Sequence, residues 1–323
     1  MLAAVGHRPG DWESSMFVVC GEALMDVFAA GDTPAGMAMD ARIGGSPFNV
    51  AVGLARLAQP VSFFGALSSG FLGQRLLRAL RDEGVGTACT PVLDAPTTLS
   101  LVGLDARGVP SYAFYGEGCA DRLLPFAALE QLPVEARALH FGSYTMVVEP
   151  TATTQRTLVE RERGRCVIAY DPNVRLNVEP DLQRWRDTLA WMLPRTDVLK
   201  VSDEDLGLLF PGAEAATLAQ DWLSQGVALV VVTRGGEGAE AWADGLHVRL
   251  APQAVTVVDT VGAGDTFQAA LLTWIAEHGR LAPKAVRWWN EADLADALNF
   301  AGRAAAITCS RRGADLPRRA ELG

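Results

Sequence analysis

The chain has little that would tie it to a membrane, a disulfide scaffold or nucleic acid. No apolar stretch runs uninterrupted for the thickness of a bilayer, so a soluble protein is expected. The five cysteines, Cys20, Cys89, Cys119, Cys166 and Cys309, are odd in number, widely spaced and form no C-x-x-C pair. Structural disulfides and a cysteine zinc site are therefore not expected, and a reducing cytoplasmic compartment is. Positive charge is also short: 28 Lys and Arg stand against 38 Asp and Glu, a formal charge of −10, whereas nucleic-acid binders usually present a basic surface. The four histidines, His7, His140, His247 and His278, lack metal-site spacing, and no Ser-His-Asp arrangement emerges. A G-x-G-x-x-G dinucleotide turn in the right context and the Gly-Lys-Ser/Thr of a Walker loop are both missing.

What is present is enough apolar sequence for a large core: 49% of 323 residues. Residues 1–15 are polar and mixed and read as a flexible leader, and 16–323 as one α/β unit. The stretch Val255-Thr-Val-Val-Asp-Thr-Val-Gly-Ala-Gly-Asp-Thr-Phe267 carries the strongest chemical signal. It reads as a β-branched strand, an abrupt turn, and an apolar helix starting at about Gly264. The turn leaves amides at Gly262, Ala263 and Gly264 free to face an anion at the positive end of a helix dipole. Asp265, in the first helical turn, is placed to take a proton beside that cradle, which suits phosphoryl transfer to a hydroxyl. An ordinary dipole-stabilised carboxylate after a tight turn is the competing reading.

A β-α-β rhythm runs through most of the chain. Met16–Cys20 reads as a strand whose exit carries Asp26, placed either to accept sugar hydroxyls or to cap a turn. Gly44 and Gly45 allow close backbone approach to a ligand, Pro47 suits the first helical position, and Asn49 can direct its amide to the same place. Val61–Leu67 reads as a strand. The rhythm breaks after Gly84, where residues 97–115, around an Asp105–Gly108 turn, form a hairpin; with residues 27–43 they make a small β-sheet lid. Such a lid must be covered by ligand and the main domain or by another subunit, and Phe114 and Tyr115 are read as packing in the core in preference to forming a lid wall. Farther on, Asp171, Asn173 and Arg175 cluster at a strand exit, as a ligand contact or a turn network. Ser202–Asp205 opens a helix with an acidic turn, read as capping in preference to Mg²⁺ ligation through water. Val227–Thr233 is a buried parallel strand ending in Thr233-Arg-Gly-Gly-Glu-Gly238, and residues 293–309 form an Ala-rich helix suited to a flat wall.

Two motifs, Gly44-Gly-Ser-Pro-Phe-Asn-Val-Ala-Val-Gly-Leu-Ala-Arg-Leu57 and Asp259-Thr-Val-Gly-Ala-Gly-Asp-Thr-Phe267, carry a resemblance to the ribokinase, or PfkB, family of carbohydrate kinases. Gly21–Asp26, Asp171–Arg175, Lys200–Asp205 and Val232–Gly238 support it, and the resemblance covers almost all of the chain after the leader. It implies a ribokinase-like three-layer α/β/α fold with a mostly parallel central sheet and the small β-sheet lid. It also implies ATP and Mg²⁺ as cofactors, a small sugar as substrate, site roles for named residues, and no nucleic-acid or membrane partner. Asp26, Gly45, Asn49 and Arg175 would contact the sugar. Asp265 would be the base, with Gly262, Ala263, Gly264 and Asp265 as the anion hole. Ser202, Asp205, Thr233, Gly235 and Gly238 would serve the nucleotide, Asp205 reaching Mg²⁺ through water. Asp259, Val261, Thr308, Arg311 and Gly313 would hold K⁺, mostly by backbone carbonyls.

Two departures stand out. Ser202 and Asp205 replace the family's Asn and Glu, and no Arg follows Phe114-Tyr115, which disfavours a sugar acid. The run Gly116-Glu-Gly-Cys-Ala-Asp121 is similar to that of the family's bacterial fructose kinases, which implies phosphorylation of D-fructose at O6. A 2-keto-3-deoxygluconate kinase or another sugar kinase, and a catalytically silent sugar-binding regulator, are the alternatives. A homodimer through the lid is a further expectation.

Overall fold

Residues 17–104 and 110–323 are described by the structure, a computed structural model. The expected leader at 1–15 and the expected turn at Asp105–Gly108 lie outside the described residues. Along the chain, β1 (Phe17–Cys20) leads into β2 (Leu24–Thr33), β3 (Gly36–Gly44), α1 (Ser46–Arg56), β4 (Val61–Phe64), β5 (Leu67–Ser68), α2 (Phe71–Asp82) and β6 (Val92–Leu93). Next come β7 (Leu99–Leu104), β8 (Pro110–Tyr115), β9 (Ala138–Gly142), α3 (Thr151–Glu162), β10 (Val167–Asp171) and α4 (Leu182–Met192). The chain then forms β11 (Val198–Ser202), α5 (Asp203–Leu209), α6 (Ala215–Ser224), β12 (Leu229–Thr233), β13 (Ala239–Ala243), β14 (Leu246–Leu250), α7 (Ala263–Glu277) and α8 (Glu291–Cys309).

Eight strands make one sheet in the order β14-β13-β12-β11-β10-β9-β1-β4. From β4 to β12 the neighbours are parallel, and β13 and β14 close the far edge as an antiparallel hairpin. Strand residues alternate between two cores, as a period of two requires. Phe17 and Val19 of β1 pack with α1, α2, α7 and α8, while Val18 and Cys20 pack with α3, α4, α5 and α6. Burial on both faces explains the continuous apolar runs of these strands, and gives the expected three-layer α/β/α architecture. Trp185, Trp222 and Trp242 are among its largest fully buried side chains.

A second sheet of four strands, in the order β3-β2-β7-β8, forms the lid. Val61–Leu67 is two strands, because the chain breaks at Gly65, where a Cβ would overlap the Gly21 carbonyl. Pro47 occupies the second position of α1, with Ser46 first. The β-branched run at Val255–Asp259 forms no strand: Val255, Val257 and Val258 are exposed, and the segment is tied to α8 through Val258 and Asp259 amides donating to the Cys309 carbonyl. β-Propensity measures fit to a packed sheet surface, and here no strand lies alongside.

Candidate active site

The chain runs outward from β1 to β4 and then returns to β9 on the other side of β1, so the strand order reverses between β1 and β9. Open α/β sheets bind ligands outside the carboxyl ends of strands at such a reversal. A cleft of about 850 Å³ lies there, large enough for a nucleotide and a sugar together. Glu22, Ser143, Lys200, Ser202 and Thr233 reach it from the main sheet, and Asp26, Phe28, Ser100 and Phe114 from the lid. Ser143, directly after β9, holds φ 61° and ψ −162°, a conformation that side chains other than glycine's rarely adopt and that clusters at ligand sites.

Gly262 caps α7 in the left-handed conformation, φ 78°, and the first turn of the helix opens onto the cleft. The Ala263 amide is not free as expected, since it donates to the Thr260 carbonyl across 3.2 Å in the turn; the remaining first-turn amides and the dipole make that end a place for negative charge. Asp265 sits among them. Ser46 Oγ donates to Asp265 Oδ1 across 2.6 Å and Asn49 Nδ2 donates to Oδ2 across 2.8 Å. Burial pushes the Asp265 carboxyl above its ordinary range, and the Ser46 and Asn49 hydrogen bonds and the Lys200 charge pull part of that back. Asn49 therefore points to the Asp265 carboxylate in this structure, a partner 216 residues away that local spacing could not reveal. Ser46, inside the same motif, was not singled out by sequence reasoning.

On the lid side of the cleft, Gly44 and Gly45 are required by the protein's own packing. A Cβ on Gly44 would overlap the Asp26 carboxylate, and one on Gly45, at φ 107°, would lie 2.8 Å from the Glu22 carbonyl. These glycines let Asp26 and the exit of β1 close against the start of α1, and Asp26, Gly45 and Asn49 all line the cleft. Burial raises the Asp26 pKa, with a Ser100 hydrogen bond and the Arg175 charge opposing. Arg175 lines the same cleft, its Nη1 donating to the Val174 carbonyl. Glu22, only 2% exposed, is a second carboxyl here, raised to about 8 chiefly by burial. Phe114, half-buried on the cleft wall and edge-on to Tyr144, packs against the buried core as expected, whereas Tyr115 is 60% exposed and does not. Both sit on a lid whose inner face is open to the cleft. The Arg122 guanidinium lies over the Phe114 and Tyr144 rings and does not line the cleft.

On the other side, Ser202 caps α5 by accepting from the Asp205 amide at 3.0 Å, as the capping reading requires. The Asp205 carboxylate accepts from the Val174 amide at 3.0 Å, which joins the Asp171–Arg175 turn to α5. Beneath them Lys200 donates to Asp171 Oδ2 at 2.7 Å in a buried ion pair, while Asp171 Oδ1 has no hydrogen-bond partner among the described residues. A lysine inside the apolar run Val198-Leu-Lys-Val201 was the signal for this pair. Thr233, Gly235 and Gly238 line the cleft, facing Gly302, Ala305 and Ala306 of the Ala-rich α8 and the exposed Val255–Val261 segment. Asp259 Oδ1 accepts from the Val261 amide at 3.1 Å and Oδ2 from the Gly313 amide at 2.9 Å. Those hydrogen bonds hold its pKa low against the effect of burial. The Thr308 and Gly313 carbonyls accept from the Arg311 and Asp315 amides, each with a second lone pair to spare. The Arg311 side chain turns away to Glu321.

An α/β/α sheet with a β-sheet lid over its switch point, and a carboxylate set in a helix-end anion cradle, define a lidded small-molecule enzyme of the ribokinase-like class. Residues 14–320 match the pfkB family carbohydrate kinase, and the chain belongs to that family. It is 34% identical over 304 residues to the fructokinase of Rhizobium leguminosarum bv. trifolii, covering 94% of this chain and 91% of the relative. The structure is similar to the ATP-bound fructokinase of Xylella fastidiosa, with TM-score 0.82, 26% identity, and 95% and 96% of the two chains covered. It is also similar to a double mutant of the Vibrio cholerae O395 fructokinase in its fructose, ADP and potassium ion bound form, with TM-score 0.80, 26% identity, and 96% and 97% covered. Among the described residues, no helix is long and apolar enough to cross a membrane.

Proposed function

We propose that this chain transfers the γ-phosphoryl group of ATP to O6 of D-fructose, giving D-fructose 6-phosphate and ADP. The observation that carries the reading is Asp265 seated in the Gly262–Gly264 cradle at the wall of a cleft large enough for both substrates. The fructokinase names of its relatives support fructose as the acceptor. Asp26, Gly45, Asn49 and Arg175 hold the sugar hydroxyls, and the O6 hydroxyl replaces Ser46 or Asn49 at the Asp265 carboxylate. Asp265 takes the O6 proton as O6 attacks the γ-phosphorus in line and the bond to ADP breaks. The α7 amides stabilise the oxygen charge of the transferring group. The lid excludes water, so that the sugar is the acceptor.

Thr233, Gly235 and Gly238 hold the nucleotide against α8, with Ser202 and Asp205 near its phosphates. Mg²⁺ fits beside them, where the donors are carboxylates and one oxygen of Asp171 is unpartnered; when bound it neutralises phosphate charge. K⁺ fits the hard oxygens of Asp259 and the Val261, Thr308, Arg311 and Gly313 carbonyls next to the cradle. Residues 16–323 act as one catalytic unit. The exposed Met37, Met39 and Tyr115 of the lid fit a homodimer, which mass in solution tests.

The test is product formation from Mg²⁺ and ATP across fructose, 2-keto-3-deoxygluconate, ribose, glucose and adenosine. Dominant conversion of fructose to its 6-phosphate is expected. Preference for the keto-deoxy acid would overturn the substrate, and no transfer to any acceptor would leave a silent sugar-binding protein.

A further inference from the structure

Lys200 is the one lysine on a strand of the central sheet, and its side chain is 6% exposed, an unusual place for an ammonium unless it is paired and used. Its ion pair with Asp171 at 2.7 Å occupies one of three N–H donors, and among the described residues no other hydrogen bond is made. The remaining donors are not turned into the core. Lys200 lines the cleft, and a Cβ placed on Gly264 would lie 3.2 Å from its Nζ. An ammonium thus lies against the first turn of α7, one residue from Asp265. Burial opposes its charge, but Asp171 chiefly, then Asp265 and Asp205, hold its pKa above the ordinary value.

We propose that Lys200 binds the transferred phosphoryl group directly, as a fixed cation that completes the amide cradle of α7. Backbone amides supply only partial charges, whereas the group moving from ATP to the sugar spreads a full anionic charge over its outer oxygens. An ammonium within reach of the same oxygens stabilises that charge more strongly than an amide does. Asp171 is its positioning residue: it fixes the ammonium against α7 and leaves the outward donors to the phosphate. Gly264 is part of the same device, because a side chain there would crowd the ammonium. The proposal rests on the kinase reading above.

The ion pair alone would make Lys200→Met destabilising, since it strands Asp171 as an unpaired buried charge. Lys200→Met combined with Asp171→Asn removes both charges and separates folding from phosphate binding, and Asp171→Asn alone, measured beside it, separates any loss through Mg²⁺ from loss through Lys200. Affinities for Mg²⁺-ADP and for a non-hydrolysable Mg²⁺-ATP analogue are measured by calorimetry on wild type and on this double variant, with fructose turnover in parallel. The double variant is expected to melt near wild type, bind ADP within about twofold of wild type, and bind the analogue at least about tenfold more weakly. Its turnover is expected to fall about a hundredfold or more with little change in the sugar KM. Equal loss for ADP and the analogue, no loss for either, or recovered turnover in the double variant would overturn the phosphate role. Nucleotide binding by wild type without sugar phosphorylation would sink the fructose kinase reading and leave the Lys200 comparison intact. Failure of wild type to bind either nucleotide would overturn both.

Discussion

Asn49 donates its side-chain amide to Asp265 Oδ2 across 2.8 Å, joining the first turn of α1 to the first turn of α7. With Ser46 on the other oxygen, both acceptors of the carboxylate are engaged from a single helix end. The two glycine motifs are therefore halves of one site. Asn49→Ala and Ser46→Ala each remove a hydrogen bond that favours the ionised form of Asp265, so each raises its pKa further. The acid limb of the kcat/KM profile for fructose is expected to move to higher pH in both variants. An unchanged limb would mean that Asp265 is not the group whose ionisation limits the rate.

Asp26 approaches the start of α1 only because Gly44 has no side chain. Asp26→Asn is expected to raise the sugar KM roughly ten- to hundredfold, the worth of a hydrogen bond to a charged group, and to leave the ATP KM nearly unchanged. Gly44→Ala is expected to act in the same direction by displacing the carboxylate. Steady-state kinetics with each substrate varied in turn checks both; a matching rise in the ATP KM would contradict the sugar role.

Glu22 makes stability depend on pH. Its carboxyl is raised in the folded protein from the ordinary 4.5 to about 8, so across that window the folded state holds a proton that the unfolded state has released. Stability is then complete below about 4.5 and is lost as pH rises through about 8. Glu22→Gln, which cannot ionise, is expected to gain melting temperature relative to wild type as pH goes from 5 to 9. Melting curves in matched buffers check this, and a difference independent of pH would contradict it.

Asp259 draws the amides of Val261 and Gly313 together beside the helix-end cradle. Wild-type turnover is expected to be higher in KCl than in an equal concentration of choline chloride, and Asp259→Ala is expected to lose that stimulation. Turnover in choline should differ less between the two proteins than turnover in KCl. Equal stimulation of both would place the cation elsewhere.

The sequence is informative where a local pattern reports local structure. Alternating strand and helix patterns, the glycine turn before each motif helix, and the Ser202 cap all translate into what is observed. Contacts between distant segments were not legible: Asn49 and Ser46 meet Asp265, and Lys200 meets Asp171, through the closure of the sheet. Lys200 nevertheless left a trace, because a cation within a doubly buried parallel strand needs a partner. The β-branched residues around Val257 misled for the opposite reason, since they line an open cleft instead of pairing in a sheet. Phe114 and Tyr115 look alike in the sequence, but Phe114 packs against the core and also lines the cleft, while Tyr115 is left exposed on the lid.

Proton removal by Asp265 is the step on which the proposed chemistry depends most. The direct test is the rate of fructose 6-phosphate formation by wild type and Asp265→Asn at saturating Mg²⁺-ATP and fructose, with folding followed by circular dichroism and melting. Asparagine keeps the size of the side chain and removes a charge that burial disfavours, so a folded variant is expected. Turnover is expected to fall about 10²- to 10⁴-fold. A folded Asp265→Asn protein that phosphorylates fructose at close to the wild-type rate would contradict the assignment.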